Sequence, residues 1–389
     1  MTDDQYDFES IAVGAGEERP QADTKDVVTP IHLSATFGLD SAGYPEEGYT
    51  YTRHSNPTRD RLEDRLADLS NAARVFAASS GMATVSTVCL SLLSPGDRVV
   101  AADSLFGGTK QLFDEFLTGF GVEVSYVDAT DPENVADALG PSAELVWMES
   151  PTNPLLKLCD IEAVGELTEE HGATLVVDNT FATPYAQRPL DLGADVSVLS
   201  TTKFVNGHTD SVGGAIAVGD ADLAEQFGFV LRDVLGAPLS PFDSYLVARG
   251  LKTLPARMES HQRNATEVAA FLADHESVAA VNYPGLQSHP DHDLAARQMD
   301  NYGGVVTFEL DGDGAETRAF VEELDVFELA MSLGGVESLV EHTASMSAAS
   351  LSPAERETAG ISDSLVRLSV GLESPDDLIP DLAAALDEV

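Results

Sequence analysis

Lys203 closes the run Ser200-Thr201-Thr202-Lys203, directly behind the apolar segment Val196 to Leu199, and Asn206-Gly207-His208 follows it. A lysine amine condenses with an aldehyde to a Schiff base, and neighbouring hydroxyls and amides can hold a phosphate. The run therefore suits an aldehyde cofactor that carries a phosphate. A lysine at a strand end is ordinarily a solvated surface residue. Here lysine is scarce: Lys25, Lys110, Lys157, Lys203 and Lys252 are the full set, and of these only Lys203 follows an apolar strand and a run of hydroxyls.

Upstream, Leu175-Val176-Val177-Asp178-Asn179-Thr180 ends an apolar strand in a carboxylate. Alone, Asp178 reads as a cap at a strand-to-loop turn. Paired with Lys203 it has a specific use, because a carboxylate beside a pyridinium nitrogen keeps that nitrogen protonated and the ring an electron sink. The two residues would then address both ends of a pyridoxal ring.

Three further features could serve such a site. Ser79-Ser80-Gly81-Met82-Ala83 follows apolar Val75 to Ala78 and opens a helix-capable segment, whose first amides make an anion site. Tyr49-Thr50-Tyr51-Thr52-Arg53 brings phenols and a cation into a segment that could equally be a solvated loop. In Leu365-Val366-Arg367-Leu368-Ser369-Val370 a lone arginine interrupts an apolar strand. A buried arginine needs a partner, so Arg367 faces either an internal carboxylate or the carboxylate of a ligand such as an amino acid.

The elements that must position these residues alternate as in an α/β layer fold with a largely parallel sheet. Strands are predicted at Arg98 to Ala102, Val122 to Val127, Leu145 to Met148, Thr174 to Asp178, Val196 to Leu199 and Gly214 to Val218. Helices are predicted at Pro132 to Leu139, opened by Asp131, and at Ile161 to His171. Asn56-Pro57-Thr58 announces another, with Leu62, Leu66 and Leu69 on one face. Residues 1–55 lack the alternation and read as an extended arm, and 56–244 as the cofactor-binding α/β domain. After Pro238-Leu239-Ser240-Pro241 a long helical stretch from Phe242 to His275 and strands at Val305 to Leu310 and Leu365 to Val370 suggest a smaller α+β domain over 245–389.

The 389 residues carry 66 Asp+Glu against 21 Lys+Arg, a formal charge of −45, which argues against nucleic-acid and anionic-membrane partners. The chain is 43% hydrophobic, enough for a core, so the charge reads as a property of the surface and points to a high-salt cytoplasm. A non-catalytic, acidic, cation-binding interaction protein is the competing class; it leaves the settings of Lys203, Asp178 and Arg367 unexplained. Cys89 and Cys159 make no disulfide framework and no zinc-ligand spacing, so no metal is expected. The acidic start Met1 to Asp7 does not resemble a signal peptide and no apolar run could span a bilayer, so a cytoplasmic location is expected.

Read together, the motifs resemble the Cys/Met-metabolism family of pyridoxal-phosphate enzymes, in its cystathionine γ-synthase and γ-lyase group, over roughly residues 10 to 385. The resemblance is carried by Tyr51 to Thr58, Ser80-Gly81-Met82, Glu149-Ser150-Pro151-Thr152-Asn153-Pro154, Val177 to Thr180, Thr202-Lys203 with Asn206-Gly207-His208, Ser332 to Ser338, and Arg367 to Glu373. It implies a PLP-dependent transferase fold of type I and a homotetramer of two tight dimers with active sites shared between subunits. It implies that Lys203 carries pyridoxal 5'-phosphate as a Schiff base, that Asp178 meets the pyridine nitrogen, that Gly81, Met82, Ser200 and Thr202 line the phosphate site, and that Ser80 also binds the cofactor. Tyr51 and Arg53 would reach that phosphate from the neighbouring subunit. Arg367 would hold the substrate carboxylate, helped by Asn153 and Ser332, which displaces the internal salt bridge as the reading of Arg367.

Two positions depart from the family pattern. Its ring-stacking tyrosine lies in a Tyr-Gly-x-Thr motif, whereas this chain has Phe106-Gly107-Gly108-Thr109, so Phe106 can stack but has no hydroxyl to move a proton. Many cystathionine-handling members carry a glutamate immediately before the serine matched by Ser332, and here that residue is Met331. The resemblance implies γ-replacement or γ-elimination on homoserine-derived or sulfur amino acids. O-acyl-homoserine sulfhydrylase and methionine γ-lyase are the alternatives.

Overall fold

The computed structural model describes residues 6–16, 26–43, 48–140 and 143–388. Met1 to Gln5 of the acidic start, and Lys25, lie outside the described residues.

Seven strands form the larger sheet: β1 (Arg74–Ala78), β2 (Arg98–Ala102), β3 (Glu123–Val127), β4 (Ala143–Glu149), β5 (Thr174–Asp178), β6 (Val196–Leu199) and β7 (Gly214–Val218). Their order is β1-β7-β6-β5-β4-β2-β3. From β6 through β3 all neighbours are parallel, and β7 runs against both β6 and β1. Parallel strands require crossover segments, which the helices Gly81–Leu92 between β1 and β2, Pro132–Leu139 between β3 and β4, and Ile161–His171 between β4 and β5 supply. Helices on both faces explain why the strands read as unbroken apolar runs: Val99 to Ala101, Leu145 to Met148 and Leu175 to Val177 are all buried.

The helix Pro57–Ser70 starts where the sequence announced it, with the Asn56 side chain accepting from Thr58 N and proline at the first position. Its stripe of Leu62, Leu66 and Leu69 packs in one cluster with Val75, Ala77, Val247 and Leu251.

A second sheet is built from β8 (Val278–Asn282), β9 (Val305–Leu310), β10 (Glu328–Leu329), β11 (Leu339–His342) and β12 (Leu365–Ser369), in the order β10-β11-β12-β9-β8. β10 and β11 pair in parallel and the other pairs are antiparallel. Its core joins Val306, Phe308, Val366 and Leu368 to Val268, Leu272, Phe320 and Leu382 on the covering helices.

The single helical stretch expected from Phe242 to His275 is two helices, Pro241–Leu251 and Leu254–Ala273. Pro255 explains the break: it has no N–H for the residue four back and its ring would crowd that carbonyl, so it begins a helix rather than continuing one. β1, β8, β10 and β11 are additions to the strands read from the sequence. β8 is an edge strand whose Ala279 and Ala280 are exposed, and β11 buries Glu341 and His342, which no hydropathy pattern marks as a strand.

Candidate active site

Asp178 ends β5, Glu149 ends β4, Ser200 follows β6, and the helix Gly81–Leu92 follows β1, which runs parallel to β6. All four positions lie at the carboxyl edge of the sheet, where open α/β folds bind their ligands.

The Ser80 side chain caps the helix by accepting from Ala83 N at 3.0 Å, which leaves the amides of the first turn directed out of the helix. A Cβ added to Gly81 would stand 3.1 Å from Ser200 Cβ and 3.3 Å from Ser200 Oγ, so only glycine lets this turn approach the β6 end closely. Ser200 N donates to Thr180 Oγ1 at 2.9 Å, and Thr202 Oγ1 accepts from Gly213 N at 3.0 Å. Ser80, Gly81, Ser200 and Thr202 thus form one small polar cradle. Thr202 and Ser332 line a cavity of about 540 Å³ with Thr209, Asp210, Ser211 and Leu333.

Asp178 Oδ1 accepts from Thr180 N at 3.0 Å and from Thr180 Oγ1 at 2.6 Å. Oδ2 has no hydrogen-bond donor among the described residues, so one carboxylate oxygen is anchored and the other is free for a ligand. Glu149 stands opposite Asp178 in the register of β4 and β5. Burial raises both carboxyls above the usual carboxylate range, and repulsion by Asp178 adds to the rise of Glu149.

Glu149 is a member of the site that the sequence reading left without a role. Its Oε2 accepts from Phe106 N and its Oε1 from Asn153 N, both at 3.0 Å, so one buried side chain fixes two of the expected site residues. The Phe106 ring and Met82 Sδ both border the Gly108 backbone, with 2.7 Å and 3.0 Å left to a hypothetical Cβ there. Phe106 and Met331 are both about half exposed.

Lys203 lies in the β6–β7 connection, and its Nζ donates to Ser332 Oγ at 2.5 Å. Ser332 has a φ of 90°, in the left-handed region that costs a non-glycine residue about 1–3 kcal/mol. Gly334 explains how that loop comes so near: with φ at 80°, a Cβ there would be 2.6 Å from Phe204 N and 3.0 Å from Lys203 C. Burial pushes the Lys203 amine down to about 8, and Arg367 pushes it the same way while Glu341 opposes. The amine is thereby partly neutral, and so nucleophilic, near neutral pH. Covalent uptake of pyridoxal phosphate by the cofactor-free protein is expected to rise about tenfold per pH unit at low pH and to level off above about pH 8. Stopped-flow absorbance would follow it; a rate still climbing steeply at pH 10 would contradict a depressed amine.

Arg367 projects from β12 with Nη1 donating to Asn153 Oδ1 at 3.0 Å and Nη2 to Ser332 O at 2.8 Å. Its Nη2 also lies 3.0 Å from Glu341 Oε2 on β11. The internal carboxylate that the family resemblance set aside is therefore present. The reason is local: β12 buries Arg367 to 4% exposure, and a guanidinium taken that far from water requires a counter-charge or a full set of acceptors.

The helix Leu254–Ala273 braces this arrangement from behind with three buried polar side chains. Arg257 donates to Phe204 O at 2.6 Å and to Val205 O at 3.2 Å, His261 Nδ1 contacts Val370 O at 2.7 Å, and Asn264 donates to Gly371 O at 3.0 Å. Spaced one helical turn apart, they tie the backbone after Lys203 to the backbone after Arg367.

Tyr51 and Arg53 stand apart from this network. Arg53 donates to Arg232 O at 2.7 Å, pairs with Asp233 at 3.2 Å and lies over the Tyr51 ring at 5.6 Å. No described contact joins either residue to Lys203, Asp178 or the phosphate cradle. The other expected residues are brought together.

The chain matches the family model for Cys/Met metabolism PLP-dependent enzymes over residues 9–387. It is 45% identical over 383 residues to a cystathionine gamma-lyase of Dictyostelium discoideum, covering 98% of each chain. It is 46% identical over 371 residues to a cystathionine beta-lyase of Coxiella burnetii, covering 95% of each. A crystal structure of cystathionine gamma synthase from Xanthomonas oryzae pv. oryzae, in complex with aminoacrylate and cysteine, superposes with a TM-score of 0.94 at 45% identity and 98% coverage of both chains. With a family model spanning nearly its whole length and full-length relatives at this identity, the chain belongs to the Cys/Met metabolism PLP-dependent enzymes.

Proposed function

We propose that this protein is a trans-sulfuration enzyme of the cystathionine γ-synthase or γ-lyase type, replacing or eliminating a γ substituent on a homoserine-derived or sulfur amino acid. One arrangement carries the reading: Ser332 touches the amine of Lys203 through its hydroxyl and Arg367 through its carbonyl, so a base and a carboxylate anchor are fixed to one another by a single residue.

The residues fit pyridoxal phosphate because Gly81 leaves a cradle that a Cβ would crowd, and because Asp178 keeps one oxygen free. When bound, the cofactor supplies an electron-withdrawing ring that takes up charge from Cα. The amine of Lys203 would hold it covalently and, once released, take the Cα proton, hand that proton on to the bound adduct and, neutral again, take a Cβ proton. Asp178 would keep a proton on the ring nitrogen. Ser80, Gly81, Met82, Ser200 and Thr202 would hold the phosphate, with Phe106 against the ring face. Arg367 would bind the α-carboxylate beside Asn153 and Ser332. Tyr51 and Arg53 would complete the phosphate site of a neighbouring subunit in a homotetramer of two tight dimers, a role that fits their distance from this chain's own cradle.

The same reading divides the chain into an arm (1–55), a cofactor-binding domain (56–244) and a C-terminal domain (245–389), in a cytoplasmic protein. Replacement and elimination share every step until the γ substituent has left, so products decide. Cystathionine from O-acylhomoserine and cysteine supports a synthase; cysteine and 2-oxobutyrate from cystathionine support a γ-lyase. Homocysteine and pyruvate from cystathionine would instead make it a β-lyase, as one relative is named. The second reading, a sulfhydrylase or methionine γ-lyase, is favoured by Phe106, which has no hydroxyl to move a proton, and by Met331, which offers no carboxylate to a distal amino group. Homocysteine from O-acylhomoserine and sulfide, or methanethiol from methionine, would establish it.

The charge of −45 supports a protein adapted to high salt, since a Debye length of about 3 Å at 1 M screens carboxylate repulsion. The folded fraction is expected to rise with KCl; full stability in dilute buffer would count against the adaptation.

A further inference from the structure

Arg367 is a cation that already has an anion. Glu341 faces it in register across β11 and β12, with Oε2 3.0 Å from Nη2, and the two residues are 1% and 4% exposed. Among the described residues Oε2 takes part in no aligned hydrogen bond, so its contact with the guanidinium is Coulombic. Oε1 accepts from Ser347 Oγ at 2.6 Å, which holds the carboxylate in place from the loop after β11.

A counter-charge is not what this fold needs merely to bury an arginine. Arg257, equally 4% exposed, is satisfied by the carbonyls of Phe204, Val205 and Gly250 and by Thr253 Oγ1, with no carboxylate in its described contacts. Arg367 has two neutral acceptors, the Ser332 carbonyl and Asn153 Oδ1, and where Arg257 has further neutral acceptors it carries an acid. An arriving carboxylate would therefore meet a guanidinium whose field is partly cancelled from behind, and the two anions would repel each other across it.

We propose that Glu341 sets the strength of carboxylate binding at Arg367: Asn153 and Ser332 hold the guanidinium in place, while Glu341 offsets part of its charge, so that an amino-acid carboxylate binds weakly enough to leave with the product. The proposal rests on the reading of Arg367 as the carboxylate anchor. It identifies a residue that limits affinity, and so gives the opposite sign from a structural brace. Loss of a brace would loosen the anchor and weaken binding; loss of the offsetting charge tightens it.

The test is equilibrium binding, by calorimetry on the holoenzyme, of norvaline, which has the α-amino and α-carboxylate groups but no γ leaving group. Glu341→Gln keeps the shape and removes the charge, and its Kd for norvaline is expected to fall about tenfold, equivalent to about 1.4 kcal/mol. In steady state the substrate KM should fall with kcat unchanged or lower. A folded Glu341→Gln protein that binds norvaline as wild type does, or more weakly, overturns the proposal. Should that variant fail to fold, Glu341→Asp decides: it draws the charge back by one methylene, and a Kd about threefold lower supports the proposal, whereas an unchanged or higher Kd overturns it. Arg367→Met separates the two layers. If it binds norvaline as well as wild type does, the carboxylate-anchor reading fails and the proposal with it. If Arg367→Met loses binding while the Glu341 variants change nothing, the proposal alone fails.

Discussion

Lys203→Ala is expected to remain folded, to lose covalent attachment of pyridoxal phosphate and to lose at least about 10⁴-fold in turnover. The amine serves twice in the proposed chemistry, as the group that holds the cofactor and as the base at Cα and Cβ, so its removal costs more than either role alone. Folding is spared because Lys203 Nζ has one hydrogen bond, to Ser332 Oγ, and its backbone is held independently: Arg257 braces the carbonyls of Phe204 and Val205, and Lys203 O accepts from Gly207 N at 2.8 Å. The phosphate cradle around Gly81, Ser200 and Thr202 is untouched, so the variant should still bind the cofactor reversibly. Reduction with borohydride and mass measurement tests the first claim: wild type should retain the cofactor's mass and the variant should not. A folded variant within tenfold of wild-type turnover would overturn the assignment of Lys203 as the base.

How much of this site the sequence discloses differs from residue to residue for physical reasons. Asp178 and Lys203 are legible because the first ends a buried parallel strand and the second closely follows the end of another, which places both at the sheet edge whatever the crossovers do, and because this chain has so few lysines. Arg367 is legible as a buried cation, but its partner is not. Glu341 meets it only through the register of two antiparallel strands, and a buried acid inside β11 argues against the strand that brings the two together. Glu149 is hidden for a related reason. It closes the apolar strand Ala143–Glu149 as a cap would, and its two backbone partners, Phe106 and Asn153, lie on different loops. The break between the two helices after Pro241 was within reach of the sequence through Pro255, but an apolar periodicity that runs on past a proline conceals it. Tyr51 and Arg53 are recognisable by motif alone, since among the described residues their contacts run to Arg232, Asp233 and each other rather than to the site.

Asp178→Asn is expected to lower turnover by about 10²- to 10³-fold, the loss that follows removal of one preorganised electrostatic partner, while leaving the cofactor-free protein as stable or more stable. The geometry survives the change: Asn Oδ1 can accept from Thr180 N and Thr180 Oγ1 as Asp178 Oδ1 does. What changes is the free end, where an acceptor becomes an amide donor and can no longer hold a proton on a ring nitrogen. Stability moves the other way because Asp178 and Glu149 are buried neighbours whose carboxyls both titrate above their usual range. A carboxyl with a raised folded-state pKa binds more protons folded than unfolded, so its contribution is fully present below the unfolded value and is lost as pH rises through the folded one. The cofactor-free wild type should therefore lose stability as pH rises above the ordinary carboxylate range, and Asp178→Asn should flatten that decline by removing one acid and the repulsion it exerts on the other. A cofactor that brings a protonated nitrogen to Asp178 supplies the missing positive charge, so wild type should gain more in Tm from pyridoxal phosphate than the variant does. Thermal melts of both proteins across pH, with and without cofactor, read all of this at once. Equal cofactor-induced shifts in the two proteins would mean that Asp178 does not meet the ring nitrogen, whatever the turnover shows.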